Sequence, residues 1–182
     1  MKYVDPPFDL GETLSGTDDD SNLINTHWQG AIFEFPDVDR TPALRGGKGR
    51  RSGRTLTCVC VRNTSGSALT TPAGKLYRFD LGQTGRLVVG SIDDVLVADK
   101  WGGCVDPELV GDVASNDFCW LVIKGVVTVT DSGSGLSAGD CICGAAAGDV
   151  AVLGAANLEP LGHVLDAISA NQTGLAALNV RY

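Results

Sequence analysis

The sequence predicts an all-β protein: a compact β-barrel or β-sandwich of about eight short strands behind an extended N-terminal arm. Three observations predict it. The 182 residues include 24 Gly, and short runs rich in Val, Leu and Thr alternate with Gly, Asn, Asp and Pro turns. The run 118–123 is apolar on both faces, with Phe118, Trp120 and Val122 on one and Cys119, Leu121 and Ile123 on the other. That pattern belongs to a strand covered from both sides, in a core or at a subunit interface. Residues 1–54, finally, are unlike the rest.

The arm, residues 1–54, contains Pro6-Pro7, the acidic turn Asp18-Asp19-Asp20 and one apolar stretch, 28–36, with Trp28, Ile32, Phe33 and Phe35. It closes on a Gly/Arg island, 45–54. So little apolar sequence cannot bury four large side chains by itself, so the arm is expected to dock on another surface. The β-rich domain, residues 55–182, follows. Strands are expected at 56–62, 75–79, 85–90 and 94–98. A loop or sheet edge follows at 101–107, ended by Pro107. The two-faced run continues past Gly125 as a half-exposed strand, Val127 and Val129 alternating with Thr128 and Thr130. Further strands are expected at 141–143, 149–153, 161–167 and 175–181. Only 158–170 has room for a helix longer than two turns.

Charge is spread unevenly over a net −8. Residues 1–39 hold nine acids and one Lys, and 55–182 hold thirteen acids and seven bases. Residues 40–54 hold six bases and no acid, among them Arg45, Lys48, Arg50, Arg51 and Arg54. The acidic whole argues against nucleic acid as the partner. The island has neither interleaved aromatics for stacking bases nor the spacing of a phosphate loop, so contact with a protein surface suits it better. The N-terminus has no apolar signal core, and no run approaches the roughly 20 apolar residues that span a bilayer. The expectation is a soluble protein made in a reducing cytosol, with thiols rather than disulfides.

No residue set demands catalysis or a cofactor. Cys58 and Cys60, with Cys141 and Cys143, could join four sulfurs around a metal if their strands were neighbours. Structural zinc sites favour Cys-x₂₋₄-Cys on turns, however, and buried Cys acts as a small hydrophobe. Gly135-Leu136-Ser137-Ala138-Gly139 matches a hydrolase nucleophile turn, with Asp149 and His163 following in order. That turn requires a strand before it and a helix after it, which this setting lacks. His27 sits beside Trp28 in the arm, and Asp93-Asp94 reads as a solvated turn.

Several phrases resemble the head decoration, or capsid cement, proteins of tailed bacteriophages. They are Val61-Arg62-Asn63-Thr64-Ser65-Gly66-Ser67-Ala68-Leu69, Gly85-Arg86-Leu87-Val88-Val89-Gly90 and Asn116-Asp117-Phe118-Cys119-Trp120-Leu121-Val122-Ile123-Lys124-Gly125. Ser137-Ala138-Gly139-Asp140, Leu161-Gly162-His163-Val164-Leu165 and Leu178-Asn179-Val180-Arg181 complete the order. The resemblance covers residue 58 to the C-terminus. It implies a non-enzymatic structural virion protein, made in the host bacterial cytoplasm, that sits on the outer capsid surface. Its partners would be the major capsid protein and further copies of itself, a homotrimer being favoured. The arm would then carry the capsid contacts, with Trp28, Ile32, Phe33 and Phe35 as apolar anchors and Arg45, Lys48, Arg50, Arg51 and Arg54 as charge contacts. The alternative is a glycan- or host-surface-binding β module of a virion, with Trp101 as its exposed aromatic.

Overall fold

The computed structural model describes residues 5–39, 49–80, 88–90, 102–145, 148–154 and 160–180. The protein is all-β. The described residues form ten strands: β1 (Ile32–Asp39), β2 (Gly49–Arg62), β3 (Leu76–Asp80), β4 (Val88–Gly90) and β5 (Gly102–Val105), then β6 (Phe118–Thr130), β7 (Cys141–Gly144), β8 (Val150–Val152), β9 (Gly162–Val164) and β10 (Thr173–Asn179). One short 3₁₀ turn, Thr26–Trp28, is the only helical piece among the described residues. All strand pairs are antiparallel and belong to one sheet, in the order β4-β3-β5-β6-β10-β9-β7-β8, with β2 joining β1 to β6. The hydrogen-bonded path is therefore open, and barrel closure is not seen among the described residues. The stretch expected to be helical instead carries β9 and a bridge from Ile168 to Leu136.

β6 is the hub. Leu121 is flanked by Val59 and Val105, and Val122 by Cys58 and Cys104, while the second half of the strand pairs with β10. From Phe118 to Ile123 every residue is buried. The odd-numbered face stays covered to the end of the strand, through Val127 and Val129. The even-numbered face opens at Lys124 and remains open at Thr128. Gly125, at φ +129°, marks the change. That φ suits glycine, and a Cβ there would also crowd the Thr55 carbonyl oxygen at 3.1 Å and the Leu56 Cδ2 at 2.6 Å on β2.

The N-terminal segment covers the even-numbered face. Phe8 stacks on Trp120 with ring centroids 4.7 Å apart, and its carbonyl accepts the indole N–H at 3.2 Å. Phe33 and Phe35 meet the same indole edge-on at 5.5 and 5.1 Å. The alternation of β1 turns Phe33 and Phe35 inward and leaves Ile32, Glu34 and Pro36 exposed. Between β1 and Trp120 lies β2, where Cys58 pairs with Phe33 and Cys60 with Trp120. Both thiols are fully buried and small, so the aromatic rings can meet across them.

Further bonds fix the segment. Gly11 N–H donates to the Asp106 carboxylate, and Leu14 exchanges backbone hydrogen bonds with Phe118. Gly16 N–H donates to Asp117 Oδ1 at 3.0 Å, and a Cβ at Gly16 would lie 1.6 Å from the Asn116 carbonyl oxygen. The acidic turn is closed by Asp18 Oδ1, which accepts from Asp20 N–H and Asn22 N–H.

The expected division falls at residue 54. That position lies inside β2, and β2 continues back into the Gly/Arg island as far as Gly49. Phe8, Leu10 and Phe35 belong to the same hydrophobic cluster as Trp120 and Leu121. The segment does dock, as its composition demanded, but on its own chain. Likewise Phe118, Trp120 and Val122 face an intrachain core, so β6 needs no second subunit to cover it. Burying an indole of roughly 200 Å² is worth about 5 kcal/mol, an upper figure because unfolded chains are partly compact. Trp120→Ala should therefore lower the stability by about 3–5 kcal/mol in urea unfolding. A loss below about 1 kcal/mol would show that the N-terminal segment does not pack on this residue.

Candidate functional site

The anchors expected in the arm separate by strand parity. Phe35 is buried, and Phe33 is half-buried against Trp120. Trp28 is half-buried, 6.2 Å from Phe33 and 4.9 Å from His27 between ring centroids. Ile32 alone of the four is exposed, at 48%. Beside it, the same segment exposes Leu23 and Ile24, which the sequence reading passed over. Their signal was present: an apolar pair between Asn22 and Asn25, after an acidic turn and with no strand pattern to bury it. Leu23 bridges back to Thr17, and Ile24 N–H bonds the Gly16 carbonyl, so both stand on a fixed hairpin-like loop.

Of the basic contacts, Arg54 is exposed on β2. Arg50 and Arg51 lie on the β2 backbone, Arg50 opposite Val38. Arg45 and Lys48 lie outside the described residues, as do Trp101, Asp93, Asp94 and the strand expected at 94–98.

The two Cys-x-Cys pairs do not meet. Cys58 and Cys60 lie on β2, Cys141 and Cys143 on β7, and β6, β10 and β9 intervene in the strand order. Among the described residues no three His, Cys, Asp or Glu side chains converge as metal ligands would. All six cysteines are described, and they are thiols rather than disulfides. Burial pushes the Cys60 thiol up to about 12 and raises Cys104, Cys119 and Cys143 as well. Cys141 is the one thiol left half-exposed, with its Sγ 3.4 Å from Nδ1 of His163 on the facing strand.

The Gly-x-Ser-x-Gly match forms a turn leading straight into β7. Asp140 Oδ2 accepts from Ser137 N–H, and Leu136 is buried against Ile168. Asp149 pairs with Lys75 and His163 faces Cys141, so Ser137, Asp149 and His163 form no relay.

Buried polar side chains order loops instead. Asn63, fully buried, donates through Nδ2 to the carbonyls of Ser67, Val113 and Ala114 and accepts from Ser65. Asp131 Oδ2 accepts from Gly133, Gly135 and Asn171 N–H groups at 2.8, 2.9 and 3.2 Å. Burial pushes the Asp131 carboxyl up, but the N–H groups of Gly135, Gly133, Asn171 and Ser132 outweigh it and hold its pKa below the ordinary value. No protein-family model matches the chain, and no curated protein matches it significantly.

A carboxyl depressed in the folded state stabilises above its unfolded pKa of about 3.9, and that contribution fades as pH falls through the lower folded value. Asp131→Asn should therefore lose about 1–3 kcal/mol at pH 7, with the gap to the unsubstituted protein closing below about pH 4. Urea unfolding of both proteins from pH 7 to 3 checks this. A gap that stayed constant throughout would count against it.

Proposed function

We propose that this chain is a structural virion protein, binding the outer surface of a tailed-phage capsid and reinforcing contacts between major capsid protein subunits. What supports the reading is the resemblance to head decoration proteins, together with one structural observation. A segment pinned to its own core by Trp120 still holds Leu23, Ile24 and Ile32 out to water. Fixed apolar side chains on an ordered loop suit contact with a rigid partner, because little further entropy is lost on binding. In this reading the module works as a compact barrel- or sandwich-like body. β2 and β4 approach each other without pairing, as a curled sheet allows. Weak single contacts become durable when several copies, most simply a trimer, attach together. Arg54 and the neighbouring basic residues would supply charge contacts at the rim.

Removing the whole N-terminal segment would expose Trp120 and unfold the module, so point substitutions are needed. The double variant Leu23→Asp with Ile32→Asp should bind capsid shells assembled from the major capsid protein at least about tenfold more weakly, a loss of roughly 1.4 kcal/mol. Its melting temperature should stay within about 4 °C of the unsubstituted protein, since both sites are exposed. Cosedimentation with shells across a concentration series reads the difference. Unchanged binding by the double variant would sink the anchor assignment. Glycan binding without shell binding would favour the alternative receptor-binding module.

A further inference from the structure

We propose that Cys141 and His163 form a surface thiol–imidazole pair, and that Cys141 is the thiol of this chain that exchanges with low-molecular-weight disulfides. The inference does not rest on the capsid reading. It rests on the register of β7 against β9, which sets Cys141 directly opposite His163. In antiparallel strands, facing residues project to the same side, and here Sγ and Nδ1 stand 3.4 Å apart. That is the separation at which a thiol and a ring nitrogen share a proton. The other five thiols are buried. Cys143 is close in sequence, yet its Sγ points to the carbonyls of Ala151 and Val152 and takes no part.

Among the described residues, His163 is the titratable side chain in contact with Cys141. β8 and β9, the strands paired to β7, contain no titratable residue besides His163, and β10 beyond β9 contains none. Asp140 precedes Cys141 but its carboxylate holds Ser137 N–H, and Asp149 is paired with Lys75. Lys124 is exposed on β6, two strands away from β9's far side. Ala177, the partner of His163 on β10, is small, and His163 itself is exposed, so a disulfide can approach.

The exchange balances without further reagents. Sγ–H passes its proton to Nδ1 of neutral His163. The thiolate attacks one sulfur of the disulfide R–S–S–R, the S–S bond breaks, and a Cys141–S–S–R bond forms. The departing thiolate takes the proton back as R–SH. With Nδ1 in contact, the proton can leave as the sulfur attacks, so the reaction does not wait for free thiolate. The expected gain is about three- to tenfold near pH 7, small for a positioned base because a departing thiolate needs little help.

The test uses the intact protein and glutathione disulfide, followed by intact mass and peptide mapping from pH 6 to 9.5. The expected result is one adduct per chain, at Cys141, and none in Cys141→Ser. His163→Ala and His163→Gln should slow the reaction about three- to tenfold at pH 7, while all rates converge at the alkaline end, where the thiolate forms without help. Melting curves of the two His163 variants should overlay that of the unsubstituted protein. The proposal fails if either His163 variant keeps the original rate and pH profile, since Cys141 would then react through exposure alone. It fails equally if label spreads over the buried thiols or if the native protein takes none.

Discussion

The rest of this structure depends on keeping Trp120 dry. The residue sits in the middle of the sheet, on a strand whose other face is already committed to the core, and its indole carries a donor that must be satisfied. Both needs are met by the N-terminal segment. Phe8 supplies a stacked ring and a carbonyl, and β1 supplies Phe33 and Phe35. The hydrogen bond adds only about 1 kcal/mol to the area term, but leaving that N–H buried and unmet would cost more. Burial and polar satisfaction thus select the same segment.

That constraint explains features that have no obvious chemistry. The Cys58 and Cys60 thiols sit where larger side chains would hold β1's rings away from the indole. Gly16 and Gly125 sit where a Cβ would push the N-terminal segment or β2 off β6. Asn63 and Asp131 gather backbone N–H and C=O groups of the loops around them, so both can be buried though polar. The acidic Asp18 turn and the Asp106 carboxylate do the same for the segment's own loops. Much of the sequence that looked available for a site is spent on satisfying this architecture.

Among the described residues, two groups of surface side chains have no evident structural task. Leu23, Ile24 and Ile32 are held out on one side of the chain's history, before β2, and Cys141 with His163 on the other, after β6. The first set is hydrophobic and fixed, which suits docking. The second is polar and reactive. Neither overlaps the core, so each can be altered without disturbing the packing around Trp120.

The sequence by itself determined the all-β class, most strand positions, the two-faced burial of β6 and its change at Gly125. Each of these is written in local periodicity, apolar parity and turn residues, which need only a few neighbouring positions to read. It also required that residues 28–36 be covered by something. It did not determine by what, because strand pairing is non-local: Phe8 and Trp120 are 112 positions apart. The parity of Ile32-Phe33-Glu34-Phe35-Pro36 was legible and would have divided the anchors correctly, had β1 been recognised as a strand; Pro36 and the short apolar run concealed it. Only the tertiary structure turned the expected arm inward, separated the two Cys-x-Cys pairs and set Cys141 against His163. The reason is common to all three: sequence fixes which way a side chain points along its strand, and register across strands fixes what it meets there.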